Sequence, residues 1–155
     1  QRPYADNPLS FSNQYLLGEV TATYRQYSLG GGYEVLEGNG SKGFTTPLAT
    51  LHRFEGWADK FLATPVNGIQ DAYGTAGFQS KGVGRLDTVA VSVTWHRFDS
   101  QRLSIDYGSE LDLQLQARCK RVTALLKLAD YRAGATTPRT VRDTTKLTAQ
   151  IEYLW

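Results

Sequence analysis

The chain lacks the features that mark several common classes of protein. Its 155 residues include a single cysteine, Cys119, which can form no internal disulfide and has no second cysteine for a metal cluster. No stretch approaches the roughly 18 uninterrupted apolar residues of a transmembrane helix, which excludes a helical membrane protein. The net charge of +2 and the pI of about 8.7 are too mild to indicate a nucleic-acid partner.

What the chain has instead is long segments in which apolar and polar side chains alternate. The longest is 103–118, LSIDYGSELDLQLQAR, where Asp112 separates Leu111 from Leu113. Because successive side chains of a strand point to opposite faces, this pattern predicts a β-strand. Sixteen residues would span about 50 Å, whereas an ordinary strand has about 5 or 6 residues. A strand that crosses lipid has about 9 to 11 such residues, so the length favours a membrane strand over a soluble sheet.

The same alternation recurs often enough to predict seven strands in one domain. They are 16–25, 29–36, 70–79, 89–96, 103–118, 122–128 and 146–155. The connections between them alternate between short and longer, as in bacterial outer-membrane barrels. Complete single-chain barrels of that class have an even number of strands, so an odd number predicts part of a larger barrel, unless one strand is missed. In lipid the two open edges would require the remaining wall.

Residues 39–68 interrupt the alternation with a different spacing. Apolar side chains recur there at intervals of three and four residues: Leu51, Phe54, Trp57, Ala58, Phe61 and Leu62. That spacing predicts a short amphipathic helix inside a long loop. Loops of this length are usually functional or disordered, and the aromatic residues argue against disorder.

Several segments resemble a known family. They are TATYRQYSLGGGYEVLEG (21–38), GFTTPLATLHRFEGWADKFLATPVNGIQDAY (43–73), TWHRFDS (94–100), DYGSELDLQ (106–114), LKLADYRA (126–133) and the terminal IEYLW. Together they resemble the C-terminal part of the alginate-export porin family of Gram-negative outer membranes. IEYLW also resembles the terminal strand signal that the barrel-assembly machinery reads.

The resemblance implies an antiparallel transmembrane β-barrel of about twice this length or more, in the bacterial outer membrane. One of its loops would constrict the pore. It also implies passive passage of an anionic polysaccharide or of small organic solutes, without a cofactor. The missing barrel segment, membrane lipid and the assembly machinery would be its partners.

Candidate pore residues come from the long loop and from the polar side of the strands. In the loop, His52, Arg53 and Lys60 would meet an anionic solute, because a cation in a narrow pore gains more from an anion than one in bulk water. The loop anchors would be Leu51, Phe54, Trp57 and Phe61. Alternatively, the loop is an ordinary packed lid with solvated charges.

The strands add bases and acids in unequal number. The bases are Arg25, Arg118, Lys127 and Lys146, and the acids are Glu19, Glu34, Asp106, Glu110, Asp112 and Glu152. Six acids against four bases do not make an anion funnel. Either these groups form a selectivity ladder, or they are solvated residues paired across strands.

Neither histidine indicates catalysis or metal binding. His96 could pair with Asp99 or Asp106, but no nucleophile accompanies the pair. His52 and His96 lack further ligands at a fixed spacing. We therefore expect a protein that is not an enzyme and holds no metal.

The direction of the apolar side chains separates two hypotheses. Four aromatic residues, Trp95, Tyr107, Tyr153 and Trp155, suit the interfacial girdle of a membrane barrel. The alternative is a small closed barrel, lipocalin-like in shape, that binds a ligand in its interior. Five side chains should face lipid in the first case and the interior in the second: Leu111, Leu113, Leu115, Ile151 and Tyr153.

Overall fold

The chain folds into seven β-strands in a computed structural model that describes residue 2 and residues 12–45, 55–137 and 141–155. The strands are β1 (Tyr15–Tyr24), β2 (Tyr27–Leu36), β3 (Ile69–Val83), β4 (Leu86–Asp99), β5 (Asp106–Cys119), β6 (Val122–Ala133) and β7 (Thr144–Tyr153). The described residues contain no helix. The predicted all-β class and the seven strands are confirmed.

The strands form a single antiparallel sheet in which each pairs with its neighbour in sequence. Turns of two residues join β1 to β2, β3 to β4 and β5 to β6, and all lie at one end of the sheet. The first residue of each turn, Arg25, Gly84 or Lys120, has a positive φ, as tight antiparallel turns require. Residues 37–68, 100–105 and 134–143 make the connections at the other end. None of the described pairings joins β1 to β7, so the sheet is open.

The two faces of the sheet differ in chemistry, and we call them the polar face and the apolar face. The polar face carries Glu19, Thr21, Glu34, Asp71, Tyr73, Thr94, His96, Glu110, Asp112, Gln114, Lys127, Lys146 and Gln150. The apolar face carries Leu16, Val20, Leu29, Tyr33, Val91, Trp95, Leu111, Leu113, Leu115, Leu126, Leu147, Ile151 and Tyr153. Every residue of the second set is more than a third exposed, and Ile151 reaches 79%.

The buried core lies at the polar face, at the end of the sheet with the long connections. Its members are Leu36, Ala58, Phe61, Ile69, Phe98, Tyr107, Ala129 and Tyr131. The Phe61 ring lies 4.9 Å from that of Phe98 and 5.7 Å from that of Tyr107, measured between centroids. The described part of the segment between β2 and β3 therefore packs onto the charged side of the sheet and leaves the apolar side open.

The beginning of β5 differs from the prediction. Leu103 and Ser104 have φ values of 70° and 48°, so the strand begins at Asp106 and not at Leu103. The β4–β5 register shifts at Phe98 and Asp99, and Gly108 opposite has a φ of 113°. This irregularity turns Tyr107 into the core, so its assignment to the apolar face and the aromatic girdle is wrong.

The predicted helix is wrong for the part of residues 39–68 that the structure describes. Residues 55–62 contain turns and bends only. Glu55, Gly56 and Asp59 all have positive φ values, and a right-handed helix cannot contain such residues. Leu51 and Phe54, also assigned to the helix, lie outside the described residues.

Candidate functional site

Residues 55–62, which we call the cover segment, are held on the polar face by hydrogen bonds from both sides. The Ala58 N–H donates to Glu110 Oε1 at 2.7 Å, and Lys146 Nζ donates to the Trp57 carbonyl at 3.2 Å. A Cβ at Gly56 would lie 2.5 Å from Glu110 Oε2, so only glycine fits there without displacing the carboxylate. Contacts with β5 and β7 thus fix the cover segment.

Beneath the cover segment lies a carboxylate cluster, formed by Glu34, Glu55, Asp71, Glu110 and Asp112 around His96. Strand register brings them together, because Glu34 lies opposite Asp71 and His96 lies opposite Glu110. His96 Nδ1 lies 2.8 Å from Asp71 Oδ2, and His96 Nε2 lies 3.7 Å from Asp112 Oδ2. The four carboxylates of this cluster that the strands supply are each at most 2% exposed.

The carboxylate cluster is rich in buried oxygens that have no hydrogen-bond partner. They include one oxygen each of Glu34, Glu55, Asp71 and Glu110, and both oxygens of Asp112. Burial raises the pKa of Glu55 to about 8, with a further rise from the charges of Glu34 and Asp71. A buried carboxylate without partners disfavours its own ionised form, so the cluster favours bound protons or an external cation.

Three lysines form a second group, the lysine cluster, on the β6 and β7 side of the cover segment. Lys127 Nζ lies 4.5 Å from the Trp57 ring centroid, and Lys60 Nζ lies 5.3 Å from the Tyr131 ring centroid. Lys146 forms an ion pair with Asp59. The bases of the wall and the loop therefore meet at the cover segment.

Trp57 lines two recesses of opposite charge. One, the carboxylate recess, has a volume of about 270 Å³ and is lined by Glu19, Thr21, Gly31, Trp57, Tyr73, Thr75, Thr94, His96 and Asp112. The other, the lysine recess, has about 100 Å³ and is lined by Trp57, Leu125, Lys127, Ala129, Lys146, Thr148 and Gln150. The indole therefore stands between an acidic and a basic surface.

The structure separates the basic residues that the sequence proposed together. Lys60, Lys127 and Lys146 converge at the cover segment, as described above. Arg25 and Arg118 lie at the end with the tight turns: the Arg25 guanidinium lies 5.3 Å from the Tyr24 ring, and Arg118 Nε donates to the Lys120 carbonyl at 3.4 Å. His52 and Arg53 lie outside the described residues.

The structure describes two of the four proposed loop anchors. Phe61 lies in the core, and the half-buried Trp57 packs against it. Leu51 and Phe54, the other two proposed anchors, lie outside the described residues. Trp57 and Phe61, the two anchors that the structure describes, therefore pack on the polar face of the sheet.

Sequence reasoning missed the carboxylate cluster and the partner of His96. Asp99 and Asp106, the partners considered for His96, lie 3.3 Å and 3.1 Å from Arg97 instead. Asp71 belongs to β3, so finding it required the register of β3 on β4. The alternation did signal that Glu110 and Asp112 share a face, but not which residues of other strands lie beside them.

The comparisons with known proteins add no relative. No protein-family model, curated protein or solved structure matches the chain. No helix in the described part of the chain is long and apolar enough to cross a membrane. The same residues contain no group of three or more His, Cys, Asp or Glu side chains that could hold a metal ion. The fold and the site define an open antiparallel sheet whose charged face is covered and whose apolar face is bare.

Proposed function

We propose that the chain is part of the wall of a bacterial outer-membrane β-barrel through which solutes pass passively. The observation that carries the proposal is the inverted placement of polarity. Buried charges lie under the cover segment, while leucine, isoleucine, valine and tyrosine side chains are exposed along all seven strands. Bare apolar surfaces of this extent mark membrane or protein contacts. Contact with lipid on the apolar face and with water on the polar face would account for both the exposed apolar side chains and the charges on the opposite face.

The connections and edges of the sheet support the same proposal. Outer-membrane barrels have tight turns at one end and longer loops at the other, as this sheet does. Among the described residues, β1 and β7 each have one edge without a partner strand, which hydrocarbon cannot satisfy. We infer that further strands of the barrel pair with both edges, and that the barrel-assembly machinery inserts the completed wall.

The cover segment is our proposed constriction, although it is not a helix. It packs on the polar face of the sheet and contributes Lys60, beside Lys127 and Lys146 from the strands. Such lysines would contact anionic groups of a polysaccharide or of a small organic solute. No cofactor takes part in this function, which is passage and not catalysis.

The second candidate, a closed barrel with an interior ligand, requires the opposite direction of the apolar side chains. Leu111, Leu113 and Leu115 would then point inward, together with Ile151 and Tyr153. Each is at least 39% exposed, and all lie on the face away from the cover segment. Their exposure supports the membrane proposal over this alternative.

The test is expression of the chain with and without the gene segment upstream of it. We expect the extended product to enter the outer membrane and to migrate faster on gels before heating than after it. The extended product should also conduct ions in planar bilayers, with a conductance that anionic oligosaccharides reduce. A detergent-free soluble monomer formed by the 155 residues alone would contradict the proposal and favour the interior-ligand barrel.

A further inference from the structure

The carboxylate recess contains a buried carboxyl group whose two oxygens lack hydrogen-bond partners among the described residues. Asp112 is 1% exposed, and neither of its carboxylate oxygens has a hydrogen-bond partner. Its charged neighbours include the Glu110 carboxyl group, two residues away on the same face of β5, and His96, whose Nε2 lies 3.7 Å from Asp112 Oδ2, beyond hydrogen-bond distance. A buried carboxylate in this state is costly unless a ligand supplies the donor. The recess thus lacks hydrogen-bond donors, not acceptors.

Three other polar side chains of the recess, Tyr73, Thr75 and Thr94, donate their hydroxyl protons to groups of the sheet. Tyr73 donates its hydroxyl proton to Glu19 Oε2 at 2.9 Å. The Thr94 hydroxyl donates to Thr75 Oγ1 at 3.0 Å, and Thr75 Oγ1 donates to the Val93 carbonyl at 3.2 Å. No lysine or arginine occurs among the described residues that line the recess. A ligand that fits must therefore bring its own donors and a positive charge.

The aromatic lining narrows the chemistry of that ligand. Trp57 and Tyr73 both line the recess, and aromatic faces attract ammonium groups. The Trp57 ring contacts an ammonium group on the side of the lysine recess, where Lys127 Nζ lies 4.5 Å from the ring centroid. Carboxylates, hydroxyls and aromatic rings together favour an organic ammonium over a bare metal ion, which needs a denser set of oxygen ligands.

We propose that the carboxylate recess binds the ammonium group of an organic cation, with Asp112 as the principal acceptor. Glu19 lies at the exposed side of the recess and attracts the cation, and Trp57 and Tyr73 contact its carbon atoms. The lysine recess on the other side of Trp57 is free to contact an anionic group of the same solute. This inference deepens the proposed function, and it rests on that function only in treating the cation as a transported solute.

The experiment titrates the complete purified protein in detergent micelles with n-butylammonium chloride and follows binding by calorimetry. We expect saturable binding that sodium butyrate does not reproduce. Asp112→Asn keeps the size of the side chain and removes its charge, so it should weaken binding at least tenfold. The matched control is Asp130→Asn, because Asp130 lies opposite Leu111 on the apolar face and pairs with Arg132. The control should leave the affinity unchanged.

A second variant keeps the test decisive if Asp112→Asn does not assemble. The Glu19 side chain is exposed, so we expect Glu19→Gln to leave the fold intact. This variant should weaken butylammonium binding about threefold. Unchanged affinity in Glu19→Gln or Asp112→Asn would overturn the inference. Equal binding of butyrate, or saturable binding of Mg²⁺ in place of butylammonium, would overturn it as well.

The experiments distinguish a failure of the proposed binding site from a failure of the proposed channel. Calorimetry in micelles measures the recess whether or not the protein conducts. Butylammonium binding without conductance in bilayers would contradict the channel and leave the recess standing. Conductance in bilayers without calorimetric butylammonium binding would contradict the recess and leave the channel standing.

Discussion

Gly56 is a residue at which the cover segment lies close to the sheet. Its φ of 80° disfavours any other residue, and a Cβ would displace the Glu110 carboxylate that accepts the Ala58 N–H. We predict that Gly56→Ala weakens docking of the cover segment by about 1 to 3 kcal/mol. Hydrogen exchange at the Ala58 amide should then be roughly 5- to 150-fold faster, since each 1.4 kcal/mol is a factor of ten.

The control for this prediction is Gly74→Ala in β3. A Cβ at Gly74 meets nothing within 4 Å, and the residue has no unusual φ. Exchange at Ala58 should be the same as in the unaltered protein. If Gly56→Ala also leaves that exchange rate unchanged, the proposed contact of Gly56 with Glu110 does not hold the cover segment.

Glu55 makes docking of the cover segment depend on pH. Burial raises its pKa from 4.5 to about 8, so the docked segment retains a proton that the undocked segment releases. The contribution to docking is full below pH 4.5 and is lost as the pH rises to about 8. A spin label on Leu62→Cys, in a Cys119→Ser background, should therefore become more mobile between pH 5 and 8.

The same label should lose most of its pH dependence in Glu55→Gln, which is neutral throughout. The comparison variant is Glu152→Gln, since Glu152 is an exposed carboxylate at the end with the tight turns. It should behave like the unaltered protein. A pH response that persists in Glu55→Gln would assign the titration to another carboxylate of the cluster.

At the scale of the strand, the alternation of side chains leads to a test of which face meets lipid. Leu113 lies on the apolar face of β5 and is 39% exposed, while Gln114 beside it lies on the polar face. Leu113→Arg should block membrane assembly, because an arginine facing lipid at the midplane costs about 2 to 4 kcal/mol. Gln114→Arg is the matched control and should assemble, as measured by the heat-modifiable fraction in outer membranes. Equal assembly of the two variants would contradict the facing assignment.

Strand identity was predictable from the sequence, whereas strand ends were not. Alternation is a local property, so it located all seven strands. β6 nevertheless continues through Tyr131 to Ala133, which the sequence assigns to a loop. Tyr131 stays in the strand because it packs on Phe61 and its hydroxyl donates to the Tyr107 carbonyl. Contacts between distant residues decide such ends, and they leave no periodic signal.

The cover segment shows that a helical spacing of apolar residues can occur in a segment that is not a helix. Apolar residues at three- and four-residue intervals predicted a helix, but the same spacing serves Trp57 and Phe61 in a turn-rich segment that packs on the sheet. Glycine at position 56 was the only local sign of a break. The positive φ values of Glu55 and Asp59 follow from docking and not from residue type.

For the molecule as a whole, the sequence gives the number of acidic and basic residues on the polar side of the strands, but it does not show where on that face they lie relative to one another. The strand acids and His96 of the carboxylate cluster belong to β2, β3, β4 and β5, and the strand lysines of the lysine cluster belong to β6 and β7. The cover segment lies between the carboxylate cluster and the lysine cluster, so negative and positive groups occupy different parts of the polar face. In the proposed channel, this separation of charge would orient a solute that bears both an ammonium and an anionic group.

Every strand of the sheet pairs with its neighbour in sequence, and the lengths of the connections predict an order of folding. The pairs β1–β2, β3–β4 and β5–β6 close through two residues each, so they form fastest. The entropy cost of closing a loop grows with the logarithm of its length, which places β4–β5 next and β6–β7 after it. The β2–β3 pairing closes residues 37–68 and comes last. We therefore expect docking of the cover segment, which completes the charged recesses around Trp57, to be the last step in the folding of this sheet.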